Sequence, residues 1–88
     1  MVQAMTAAEL ITRVAIRNGW TVEAKRSRNE FFIIATYDRG NERVQVWYTP
    51  SDSVHSSLYT NRHRHELIDY FSPASTGRRA ATIRWLKS

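Results

Sequence analysis

The sequence predicts an α+β domain in the order α-β-β-β-α-α, and three observations predict it. A capped amphipathic stretch opens the chain, three β-prone runs separated by turn residues follow, and apolar residues return at helical spacing after two polar breaks. Eighty-eight residues support a single domain, 1–88. An apolar fraction of 42% with three Trp, four Tyr and three Phe argues for a packed core rather than disorder.

The first helix spans about residues 7–18. Thr6-Ala7-Ala8-Glu9 reads as a capping box, in which the Thr6 hydroxyl and the Glu9 carboxylate satisfy early helical N–H groups. Met5 and Leu10 occupy the positions of a hydrophobic staple, and Ala7, Leu10, Ile11 and Val14 form one apolar stripe. Glu9, Arg13 and Arg17 lie off its centre, and Gly19 stops the helix.

Three strands follow. Trp20, Val22 and Ala24 alternate with Thr21, Glu23 and Lys25, the pattern of a half-buried strand. After a turn at Ser27-Arg28-Asn29, Phe31 to Ala35 places apolar groups on both faces, with Tyr37 extending one of them. Beyond Asp38-Arg39-Gly40-Asn41, Val44, Val46 and Tyr48 alternate with Gln45, Trp47 and Thr49 until Pro50 closes the run. The simplest assembly is an antiparallel meander whose middle strand needs two covers. The first helix can supply one; a C-terminal element using Ile83, Trp85 and Leu86, or a second copy of the chain, must supply the other.

Residues 50–61, rich in Ser, are expected to form a loop with room for a short extended piece at Val54 or at Leu58-Tyr59, and Asn61 to cap a helix through about Phe71 with Leu67, Ile68 and Phe71 buried. A second loop is expected at 72–77. Ala81, Thr82, Trp85 and Leu86 then recur at helical spacing, although Ala81, Ile83 and Trp85 also alternate as a strand would.

Composition limits the chemistry. There is no Cys, so disulfides, thiolate metal sites and cysteine nucleophiles are excluded. The start of the sequence has neither a basic nor an apolar signal region, and no apolar run is long enough to cross a bilayer, so the cytoplasm is the expected compartment and no membrane partner is expected. The formal net charge is +5, and of the 13 cations only Lys25 and Lys87 are not arginine. Arginine suits phosphate and carboxylate recognition, and GC-rich coding favours it too. In small size and arginine bias the chain resembles accessory proteins from phages of GC-rich hosts.

Candidate nucleic-acid contacts are the cations near the hairpins and the last helix (Lys25, Arg26, Arg28, Arg39, Arg43, Arg78 and Arg79), with Trp47 as a stacking residue. Candidate protein contacts are Ile16, Trp47 and Trp85. The order helix, three strands, helix resembles the double-stranded-RNA-binding domain, and Gly77-Arg78-Arg79-Ala80-Ala81 is a faint counterpart of that family's glycine-lysine-lysine turn; some thirty residues separate it from the third strand. Gly19-Trp20-Thr21-Val22-Glu23 and the E-x-K of Glu23-Ala24-Lys25 resemble the opening of PD-(D/E)XK nucleases, but the upstream Asp that shares their metal is missing. His63, His65, Glu66 and Asp69 read as a polar surface rather than a zinc site, and Asp52, Ser53 and His55 lack a nucleophile elbow.

The expectation is a non-enzymatic module with no cofactor, no metal and no catalytic residues, engaging a protein partner or itself. Nucleic-acid binding through an arginine-rich surface is the alternative, and a degenerate nuclease comes third.

Overall fold

The computed structural model describes residues 6–26, 31–51, 53–71 and 77–88. Helix α1 (Ala7–Arg17) leads into strands β1 (Thr21–Arg26), β2 (Ile33–Arg39), β3 (Glu42–Tyr48), β4 (Val54–Asn61) and β5 (Glu66–Phe71), and helix α2 (Arg78–Lys87) follows. The strands form one antiparallel sheet in the order β1-β2-β3-β4-β5.

The entry and exit of α1 follow the sequence closely. Thr6 is extended (φ −68°, ψ 161°) and its hydroxyl accepts from the Glu9 backbone N–H at 3.1 Å. Met5, the other half of the expected staple, lies outside the described residues. At the far end the Trp20 N–H reaches the Ala15 carbonyl and the Gly19 N–H reaches that of Ile16, a Schellman closure. Gly19 has φ 85°, a left-handed conformation that side chains resist. Ile11 and Ala15 are the most deeply buried residues of α1, so its stripe is rotated from the predicted centre towards Ala15.

Two-residue turns suit antiparallel neighbours, and Gly40 (φ 58°) provides one between Arg39 and its strand partner Glu42. On one face of the sheet Ala35, Tyr37, Val44, Val46, Tyr48 and Val54 meet Ile11 and Ala15 of α1 and Trp85 and Leu86 of α2 in a single core. Polar groups inside it are matched. The Tyr37 hydroxyl bonds to those of Thr12 and Tyr48 at 2.8 and 2.9 Å, and buried Thr82 donates to Ser57 at 2.9 Å. Burial raises the Tyr37 pKa, and the bonds to Thr12 and Tyr48 oppose that rise.

Three expectations are corrected. The meander has five strands and the chain two helices, so α-β-β-β-α-α becomes α-β-β-β-β-β-α. Residues 54–61, expected in a loop, form β4, and the expected helix at 61–71 is instead a turn followed by β5. Asn61 does cap, but it caps the turn: its Oδ1 accepts from the backbone N–H groups of His63 and Arg64, both at 3.0 Å. The last element, open between helix and strand, is helical, whereas the expected loop at 72–77 lies outside the described residues except for Gly77.

The third correction concerns layers. Both helices pack on the same side of the sheet, so α2 is not the second cover for β2, and the other face carries no layer from the described residues. With five strands in one meander, the three-strand order behind the RNA-binding-domain resemblance is lost as well. No helix of the described residues is long and apolar enough to cross a membrane.

Candidate binding surface

Because side chains alternate along each strand, the register fixes what the open face displays. One row runs Lys25, Ile34, Trp47, Ser56 across four strands. The next runs Glu23, Thr36, Gln45, Leu58, Tyr70, and a third runs Thr21, Asp38, Arg43, Thr60, Leu67. At the Trp47 end, the Phe32 ring lies 4.6 Å from that of His55, tilted by 51°. Ile34, Trp47 and Leu58 are half-buried by their neighbours and remain accessible from this side.

The opposite end of the face is ionic. Arg43 grips Asp38 through two hydrogen bonds, 2.7 and 3.1 Å, and Arg62 approaches the same carboxylate at 3.6 Å. The Asp38 hydrogen bond, which outweighs partial burial, holds the Arg43 guanidinium above its ordinary pKa. Arg43, Gln45, Thr60, Arg62 and His65 line a shallow depression here.

The two sheet edges differ. β1 presents Glu23, Lys25 and Arg26 to solvent, charges that discourage another strand from pairing. β5 presents Leu67, Ile68 and Tyr70, which are 60, 53 and 49% exposed. That strand carries no basic residue.

The structure distributes the predicted site residues among different places. Arg39 is a half-buried tie: its guanidinium lies 4.4 Å over the Trp20 ring and donates to Glu42, the Asn18 carbonyl and the Ser88 carbonyl. Arg43 is engaged with Asp38, and Arg78 donates to the Val54 carbonyl at 2.8 Å. Lys25, Arg26 and Arg79 are exposed, on two different layers, and Arg28 lies outside the described residues. Trp47 occupies the middle strand of the open face, and Ile16 is 58% exposed on α1. Trp85 is buried beside Tyr59, their rings 5.5 Å apart, and offers no surface.

Glu23 and Lys25, the E-x-K pair, share the open face with Asp38, but two guanidinium groups already hold that carboxylate. His65 sits in the β4–β5 turn with φ 53°, and Asp69 is in the strand, so they are not helical neighbours. Among the described residues no three His, Asp or Glu side chains cluster as metal ligands would. The apolar β5 edge escaped sequence reasoning, although Leu67-Ile68 and Tyr70-Phe71 are β-prone pairs. No family model matches this chain, and neither a curated protein nor a solved structure is significantly similar to it.

Proposed function

We propose that this protein is a non-enzymatic binding module that engages a protein surface through its open sheet face and β5 edge, with a second copy of the chain as the partner. The observation that carries this reading is the contrast between the edges: β1 is guarded by charge, and β5 exposes Leu67, Ile68 and Tyr70 beside the open face. Among the described residues no strand pairs with the outer side of β5, where the Tyr70 N–H donates to the Asp69 carboxylate at 2.8 Å and would exchange that bond for an interstrand one.

In the antiparallel register centred between Ile68 and Asp69, Leu67 of one copy would lie opposite Tyr70 of the other, and Glu66 and Asp69 would not oppose each other. Each large apolar side chain withdrawn from water contributes about 1.5–3 kcal/mol, and four such groups meet in that register. Sedimentation velocity over a concentration series tests the reading. A dimer is expected for the native chain, and a monomer for Leu67→Lys, which removes two of those four groups, with an unchanged circular dichroism spectrum. A native chain that stays monomeric throughout the series overturns the proposal.

A further inference from the structure

The formal charge is divided between the layers of the fold. The two helices hold six cations (Arg13 and Arg17 in α1; Arg78, Arg79, Arg84 and Lys87 in α2) against Glu9 alone, a net +5, which is the whole charge of the chain. The remaining seven cations and seven acids cancel. Pairing follows the same division: the ion pairs among the described residues are Arg39–Glu42, Arg43–Asp38 and Arg62–Asp38, all within the sheet and its turns. Arg13, Arg17, Arg79, Arg84 and Lys87 are all exposed and none takes part in those pairs.

Helix stability accounts for only part of this placement. Cations in a last turn favour the helix dipole, which fits Arg17, Arg84 and Lys87. Arg79 stands in the first turn of α2, at the electropositive end, where no acid accompanies it and no side chain caps the helix. Arg13 lies in mid-helix. A surface of unpaired guanidinium groups attracts a polyanion, because each phosphate it neutralises releases condensed counterions.

We infer that the outer surface of the helix layer binds the phosphate backbone of double-stranded nucleic acid without reading sequence. The layer suits a duplex rather than a single strand, because base stacking needs accessible aromatic rings and Trp20 and Trp85 on this side are buried. It suits nucleic acid rather than an anionic membrane, because the apolar stripe of α1 is buried in the core and Ile16 alone is left as a large exposed apolar group on the two helices. Four of the five exposed cations are arginine, whose fork fits phosphate. This surface is separate from the open sheet face, so the inference does not depend on self-association.

Fluorescence anisotropy with a labelled DNA duplex, an RNA duplex and a single strand, titrated at several salt concentrations, tests it. Duplex binding that weakens with salt is expected for the native chain. The triple variant Arg13→Gln, Arg17→Gln, Arg84→Gln should shift the log–log salt slope by about 2.7, from about 0.9 for each phosphate contact. The double variant Lys25→Gln, Arg26→Gln, on β1, should leave the slope unchanged. All five substitutions are at exposed positions, and thermal melts verify that both variants stay folded. Absence of duplex binding in low-salt buffer overturns the inference. So does a β1 variant that loses as much as the helix variant, or binding to phosphatidylserine vesicles without binding to either duplex.

Discussion

Trp20 donates its indole N–H to the carbonyl of Leu86 at 2.9 Å, joining residues 66 positions apart in a buried hydrogen bond. The bond ties the exit of α1 to the last turn of α2, and the Arg39 guanidinium stacked on the same indole adds the β2–β3 turn to the junction.

Trp20→Phe keeps a ring in the core and removes the donor. The Leu86 carbonyl is then left without that partner in a buried setting, which costs about 1–3 kcal/mol. Urea denaturation should show this as a lower midpoint with an unchanged slope, and a midpoint equal to that of the native chain would contradict it.

Thr6→Ala removes the hydroxyl that accepts from Glu9 N–H at the start of α1. The expected loss is about 1 kcal/mol, and Thr6→Ser should restore most of it. Paired thermal melts of the two variants make the comparison.

Gly19→Ala tests the Schellman closure. The space around the added methyl is ordinary, with Arg39 Cδ 3.8 Å away, so the penalty comes from the backbone at φ 85° rather than from crowding. It should amount to about 1–2 kcal/mol. Gly19→Asn should lose less, since Asn tolerates this conformation better.

Glu42 makes stability depend on pH in the acid range. Partial burial alone would raise its pKa, but hydrogen bonds from Tyr59 and Arg39, with the Arg39 charge, outweigh it and hold the carboxyl below its ordinary 4.5. The unfolded chain therefore takes up the proton first. The contribution is fully present above the ordinary value and is lost as pH falls through the depressed one. Glu42→Gln should flatten the acid side of a stability–pH curve measured by urea melts. An acid limb as steep as the native one would assign that slope to other carboxylates.

Tyr59 is the other half of this contact, and its pKa moves the opposite way, raised by burial and then by the hydrogen bond and charge of Glu42. The folded chain keeps that proton to higher pH than the unfolded one, so its contribution is present below the ordinary value of 10.0 and is lost as pH rises through the elevated one. Tyr59→Phe should reduce the alkaline loss of stability in the same assay. Tyr37→Phe should do so as well, since burial raises the Tyr37 pKa also.

The N-terminal half was legible in the sequence because its signals are local. A Thr cap, a left-handed Gly and period-two alternation each act within a few residues, and α1, β2 and β3 stand close to where those signals put them. β4 was hard to read because Ser56 and Ser57 interrupt its inward Val54 and Tyr59: Ser57 is fully buried, and there Thr82 of a distant helix bonds to it. The turn after β4 misled for a related reason. Asn61 offers the same side-chain acceptor to a helix start and to a tight turn, and the choice between them rests on β5 pairing with β4. Phe31 and Ile33 pointed to a buried middle strand, yet they are 52% and 41% exposed, while Ala35 and Tyr37 hold the core under the helices. Hydrophobicity located the strand but not the layers above it.

The inequality of the two sheet edges would also set where the proposed association stops. Joining β5 to its own copy consumes that edge in both chains, and the outer strands of the resulting ten-stranded sheet are then the two copies of β1. β1 carries the exposed charges Glu23, Lys25 and Arg26 at each end, so the proposed assembly would terminate at two instead of extending into a filament. Replacing those three charges with apolar residues would turn a closed pair into an open-ended ribbon.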